Sequence, residues 1–226
     1  VPVPEFRWKK DSIMLPEDGE RESILPAEEE ARLFAELRPD YHAFVRFALL
    51  SGLRLDNVVS LTWRQVHWDA REIRLRVKGG KQKAIAISSA MLAILEAERG
   101  RNFQRVFTYE CQRNRHDPKQ GIVQNKGERY PFTHDGWRAA WKKALEAAGI
   151  EDFRFHDLRH TFATRLLRAT NNLELVQRAL THEAIATTVR YAKSQLSDVR
   201  IGLEKMNLTQ NLTQNPAPAV STKRNT

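Results

Sequence analysis

From residue 26 onward, apolar positions recur every three or four residues, and that period dominates the chain. Pro26 sits where a helix would start. Glu28, Glu29 and Glu30 suit its positive end, and Pro39 must stop it. Asp40 is placed to cap a second, very apolar helix through Phe44, Phe47, Ala48 and Leu50, ending at Gly52. A short helix follows over about residues 54–61. The period then changes to two. Val66, Ile73, Leu75, Val77, Ile85 and Ile87 alternate with polar residues, while Trp68-Asp69-Ala70 and Gly79-Gly80 supply turns, which predicts one small three-stranded antiparallel sheet. Ser88 or Ser89 caps the next helix, which carries Met91, Ile94 and Leu95 on one face and stops at Gly100. Residues 101–132 show no period and read as loops. Trp137, Trp141, Leu145 and Ala148 mark a helix ending before Gly149. Two more are predicted over about 156–169 and 172–181, with shorter ones reaching about 205. The fold class is mainly α (α+β): helices, one small three-stranded antiparallel sheet, then helices again.

This pattern divides the chain into an N-terminal linker segment over 1–24, one helical domain over 25–206 and a tail over 207–226. The tail repeats Asn-Leu-Thr-Gln and then runs Pro-Ala-Pro-Ala, a composition expected to be disordered because it offers little to bury. The opening Val-Pro-Val-Pro has neither an initiator methionine nor the layout of a signal peptide, so the expectation is a trimmed chain lacking an upstream domain. Composition narrows the classes further. No apolar run approaches the ~20 residues of a membrane-spanning helix, and mean hydropathy is −0.57. The single cysteine, Cys111, excludes a disulfide framework and a multi-cysteine zinc site, and suits a cytoplasmic location. Lys and Arg number 37 against 28 Asp and Glu, which points to a polyanionic partner such as nucleic acid.

Three clusters could carry chemistry. In Ser51-Gly52-Leu53-Arg54-Leu55-Asp56-Asn57 a glycine allows a sharp turn, and Arg54 falls near a helix N-terminus, where its guanidinium and backbone N–H groups would attract an anion. In His156-Asp157-Leu158-Arg159-His160, His156 and Arg159 share a helix face at i and i+3. His156 and His160 also have the i, i+4 spacing of zinc ligands, with Asp157 where a zinc protease carries its glutamate. Arg159 argues against that reading, since a permanent cation one turn away opposes a dication. Aspartate is also a methylene shorter than glutamate, and no metal is expected. The third cluster runs from Leu180-Thr181-His182 to Tyr191, which follows nine positions after His182, with Thr187 placed to cap a short helix carrying the tyrosine.

In this order the clusters resemble the tyrosine recombinases, also called the phage integrase family, over roughly residues 25–195. Gly52-Leu53-Arg54 is similar to the family's first arginine box, His156-Asp157-Leu158-Arg159 to its His-x-x-Arg box, and Leu180-Thr181-His182 through Tyr191 to its Leu-Gly-His…Tyr box. Val77-Lys78-Gly79-Gly80-Lys81 is similar to the segment carrying the family's catalytic lysine, which implies that role for Lys78, with Lys81 as the second candidate. Two positions depart: Asn57 stands where the family usually has Glu or Asp, beside Asp56, and Thr181 replaces the usual glycine. The resemblance implies a catalytic domain that cleaves and rejoins double-stranded DNA through a 3′-phosphotyrosine, working as a homotetramer on two duplexes, with a monomer expected in the absence of DNA and no membrane or cofactor involved.

The residue types suit that chemistry. Arg54 and Arg159 can each offer a fork of donors to phosphate oxygens, and His182 can add another. Tyr191 would be the nucleophile and His156 the acceptor of its proton. Lys78 could protonate the leaving oxygen. Arg71, Arg74, Arg76, Lys78, Lys81 and Lys83 put six cations into thirteen residues, of which Arg76, Lys81 and Lys83 are expected to hold DNA. Two other readings share the charge: a type IB topoisomerase-like nicking-closing enzyme, and a basic DNA-binding module without catalysis.

Overall fold

The computed structural model describes residues 24–76, 82–117 and 121–180. They form α1 (Ala27–Glu36), α2 (Pro39–Ser51), α3 (Leu55–Val59), β1 (Val66–His67), β2 (Glu72–Arg76), β3 (Gln82–Ala86), α4 (Ser89–Glu98), β4 (Thr108–Glu110), β5 (Arg115–Asp117), β6 (Ile122–Gln124), β7 (Arg129–Pro131), α5 (Arg138–Ala147), α6 (Asp157–Thr170) and α7 (Leu173–Ala179). The expected linker before residue 24, the Gly79-Gly80 turn, the helices beyond residue 181 and the tail lie outside the described residues. No helix among the described residues is long and apolar enough to cross a membrane.

α2 is the axis of the fold because it is apolar on nearly every side. Tyr41, Phe44, Val45, Phe47, Ala48 and Leu49 are all buried, and a helix of that kind must be wrapped by its neighbours. α3, α4, α6 and β4 pack around it. Phe44 stacks on Phe132 and Phe155, with centroids 4.5 and 5.1 Å away. Burial also pushes the Tyr41 phenol up to about 12, against the lowering effect of nearby Arg38. Gly52 ends the helix in the left-handed conformation at φ 60°. The start of α2 differs from expectation. Arg38, not Asp40, is the N-cap, with Pro39 in the first turn, because the fixed φ of proline already suits that position. The Asp40 carboxylate instead accepts from the Arg38 guanidinium and from the Glu110 backbone N–H.

The three-stranded sheet has the order β1-β2-β3 and is antiparallel throughout. Register assigns its two faces. Val66, Ile73, Leu75 and Ile85 turn inward and are buried, and Lys83 is paired with Leu75 on that same side. Arg74 and Arg76 face out, opposite Ala84 and Gln82. Residues 101–132 are not all loops. β4 pairs with β7, and β5 with β6, as two short antiparallel ribbons. Three-residue strands are too short to display a period of two, and what holds the first ribbon is tertiary packing: Thr108 is buried and Tyr109 lies 5.5 Å from Phe132.

Candidate active site

The His156–Arg159 segment is positioned by the aromatic residues before it. Phe153 and Phe155 are buried while Arg154 is exposed. Phe155 is gripped by Phe44, Trp137 and Trp141, with centroids 5.1, 4.7 and 5.3 Å away. This alternation of buried and exposed residues delivers His156 to the surface as the N-cap of α6. Asp157 follows it into the interior, where Oδ2 accepts from the Arg154 backbone N–H at 2.7 Å. The aspartate is therefore committed to closing the turn. The His156 and His160 rings lie 6.0 Å apart, edge to face at 74°. Among the described residues no cluster of three or more His, Cys, Asp or Glu is arranged to hold a metal ion.

Arg159 lies on the other side of the first turn and is 96% buried, its relative exposure being 4%. A buried guanidinium is costly unless its donors are used. Here Nη1 donates to the Gly52 carbonyl and Nη2 to the Leu180 carbonyl, the latter at 2.8 Å. One side chain thereby ties together three segments that lie far apart in sequence: the turn after α2, the start of α6 and the end of α7. The first two carry clusters the sequence singled out, and Leu180 is the first residue of the third.

Gly52 is required here on two counts. Its φ of 60° is unfavourable for any residue with a Cβ, and a Cβ would stand 2.2 Å from Phe162 Cδ1. Phe162, one turn beyond Leu158 on α6, thus fills the space that glycine vacates. Two residues on, Arg54 is the exposed N-cap of α3. Its carbonyl accepts from the Asn57 and Val58 backbone N–H groups at 2.9 and 3.2 Å. Those two bonds close the first turn of α3, and the exposed Arg54 guanidinium stands at its start. Asp56 does not turn toward Arg54 but pairs with His134 at 3.0 Å. Nothing in the sequence signals that pairing, because 78 positions separate the partners.

The structure thus brings Arg54, His156 and Arg159 to one region, at the C-terminal end of α2 and the N-terminal end of α6. Lys78, Lys81, His182 and Tyr191 lie outside the described residues. The chain leaves the described region at Leu180, whose carbonyl is held by Arg159 and whose side chain is buried with Ala163 and Val176. Of the cations expected to hold DNA, Arg76 is exposed on the outer face of the sheet. Lys83 is half-buried on the opposite face, since the alternation of strand side chains separates them.

A model described as the phage integrase family matches residues 23–197. The integrase of Salmonella phage P22 is 32% identical over 171 residues, covering 74% of this chain and 43% of that protein. Tyrosine recombinase XerC of Actinobacillus pleuropneumoniae serotype 7 (strain AP76) is 31% identical over 152 residues, covering 66% of this chain and 45% of its own. The chain therefore spans less than half the length of these curated relatives. Among solved structures, the catalytic domain of bacteriophage HP1 integrase aligns with a TM-score of 0.55 at 24% identity, over 87% of this chain and 99% of that one. The Tn1549 transposon integrase, solved in complex with transposon right end DNA, aligns with a TM-score of 0.60 at 17% identity, over 85% of this chain and 68% of that one. At these identities the solved structures establish the shared fold.

Proposed function

The chain belongs to the phage integrase family, and from that premise we propose that it is the catalytic part of a site-specific DNA recombinase. It cleaves and rejoins double-stranded DNA through a 3′-phosphotyrosyl intermediate. The observation that carries this reading is the buried Arg159 guanidinium, whose hydrogen bonds to Gly52 and Leu180 gather the arginine turn, the His-x-x-Arg helix and the lead into His182. The turn that carries the exposed Arg54 and the helix start that carries the exposed His156 are thereby held beside one another, as donors to one phosphodiester must be.

In the proposed reaction Tyr191 Oη attacks the scissile phosphorus and His156, exposed at the start of α6, takes its proton. The bond from phosphorus to the 5′-oxygen breaks, and Lys78 gives that oxygen a proton. Arg54, Arg159 and His182 donate to the non-bridging oxygens as charge builds on them. The phosphotyrosyl ester conserves the free energy of the broken bond. Attack by a 5′-hydroxyl then reverses the chemistry and restores Tyr191. Arg76, Lys81 and Lys83 are the proposed backbone contacts of the β2–β3 hairpin, Arg76 being the exposed one among the described residues. The catalytic unit is proposed to span 25–206, to act in the cytoplasm, and to work as four copies on two duplexes and as a single copy without DNA.

A nicked duplex that loses a short fragment on cleavage tests this directly, because it traps the covalent product. Wild-type protein should accumulate an adduct that migrates as protein plus DNA, and Tyr191→Phe should form none while binding the duplex with nearly unchanged affinity. Adduct formation by Tyr191→Phe would overturn the nucleophile assignment. Joining of strands from two duplexes would separate recombination from simple nicking and closing.

A further inference from the structure

The segment between α4 and α5 holds a feature that the site described above does not use. The β5–β6 ribbon is a second tier, set beyond the β4–β7 ribbon that packs on α2. Two isolated three-residue strands have little stability of their own, yet this pair is fastened to the tier beneath it. Gln124 Nε2 donates to the Tyr109 hydroxyl and the Asn125 backbone N–H to the Tyr130 hydroxyl, each at 2.9 Å. The Tyr130 hydroxyl in turn donates to Glu128 Oε2 at 2.6 Å, a hydrogen bond that lowers the carboxyl's pKa and keeps it ionised. Cys111 is buried at the junction, and its Sγ donates to the Arg113 carbonyl at 2.9 Å. The described part of the arm is fastened at its base by these side-chain hydrogen bonds.

The charge on this arm is one-sided. Residues 112–126 contain Arg113, Arg115, Lys119 and Lys126 against one carboxylate, Asp117. Arg113, Arg115 and Lys126 are exposed, as are His116 and, at 60%, Val123. Several surface arginines elsewhere are paired with carboxylates: Arg38 with Asp40, Arg74 with Glu72, Arg101 with Glu98, Arg138 with Asp135 and Arg178 with Glu174. Beyond Glu110 and Glu128 at its base, the ribbon presents exposed cations against the one carboxylate Asp117, and such a surface is complementary to a phosphate backbone. Its root is at the N-terminal end of α2, where Arg38 and Asp40 hold the Glu110 backbone. Arg54 lies past the other end of that 13-residue helix. At 1.5 Å per residue the two ends are about 20 Å apart, a distance of about six base-pair steps along a duplex.

We propose that the β5–β6 ribbon is a second DNA-contacting arm, which grips the phosphate backbone of duplex flanking the cleavage site through Arg113, Arg115 and Lys126. It rests on the recombinase reading, and adds to it a positioning surface that is separate from the catalytic groups and from the β2–β3 hairpin. The arm contributes affinity and placement of the duplex, not chemistry.

The test uses the full chain on one duplex carrying its cleavage site, with affinity measured across a salt series. The triple variant Arg113→Gln, Arg115→Gln, Lys126→Gln should lower the magnitude of the log–log salt slope by about 2.7, the value for three lost phosphate contacts. Binding near physiological salt should weaken by on the order of tenfold or more. Arg113→Lys with Arg115→Lys, which keeps the charges, should retain the wild-type slope. Adduct formation on the nicked substrate at saturating protein should persist in the triple variant. An unchanged slope with a normal adduct would overturn the arm while leaving the recombinase reading intact. Wild-type protein that binds DNA but never forms an adduct would overturn the recombinase reading instead. A matching thermal midpoint for wild type and the triple variant confirms that the comparison is between folded proteins.

Discussion

At the scale of the residue, Arg54 and Arg159 share a proposed role but stand in opposite environments. Arg54 is exposed, so Arg54→Ala should change stability by no more than about 0.5 kcal/mol. Cleavage should nevertheless fall about 10²–10³-fold with the loss of an oxyanion donor. Arg159→Ala leaves the Gly52 and Leu180 carbonyls without their donor in a buried site, and should destabilise the fold by about 2–4 kcal/mol as well as abolish cleavage. Thermal unfolding beside adduct yield separates the two, and equal stability losses would contradict the assignment. Tyr41 supplies a prediction of another kind. Its folded pKa of about 12 lies above the ordinary value of 10.0, so between those values the unfolded chain has released a proton that the folded chain retains. Stability should fall across that window and be fully present below it. Tyr41→Phe should remove that share of the alkaline decline, measured by denaturant unfolding at pH 9 and pH 11.

At the scale of the element, the β2–β3 hairpin shows how strand geometry sorts a run of cations. Sequence density alone groups Arg76 with Lys83, yet register sends one outward and the other toward Leu75. The catalytic lysine must therefore be decided by chemistry rather than by charge density. If Lys78 protonates the leaving 5′-oxygen, Lys78→Ala should cripple cleavage of ordinary DNA. It should recover on a substrate with sulfur at that bridging position, since a thiol with a pKa of about 8.5 leaves readily as thiolate. Arg54→Ala should stay impaired on the same substrate because it still lacks a donor to the phosphate. Rescue of Lys81→Ala in place of Lys78→Ala would transfer the role. The short ribbons between α4 and α5 teach the converse lesson. β4 and β7 exist because α2 offers them a buried aromatic surface, not because their own residues insist on being strands.

At the scale of the whole molecule, α2 and α6 form the frame that places the site. The close approach of Phe162 to Gly52 sets α6 against the end of α2, and Arg159 then reaches across to the end of α7. Chemistry assembled from arginine, histidine, lysine and tyrosine side chains should not depend on a divalent ion. Adduct yield on the nicked substrate is expected to be the same in millimolar EDTA as in its absence. A loss restored by added zinc and abolished by His160→Ala would revive the zinc reading of the His-x-x-x-His spacing.

The sequence by itself determined the helices with a clear period, the three-stranded sheet, the left-handed cap at Gly52 and the identity of the clusters around Arg54, His156 and Arg159. These are local matters: a 3.6-residue or two-residue period, a capping side chain and a glycine where φ is positive are each legible within a few neighbours. Tertiary structure alone decided that Arg159 is buried and bound to Gly52 and Leu180, that Asp56 faces His134, and that Lys83 and Arg76 occupy opposite faces. It also decided that part of a stretch without periodicity becomes ribbons. Each of these depends on what packs against a residue from across the chain, and hydrophobic periodicity contains no record of which distant carbonyl a buried guanidinium will meet.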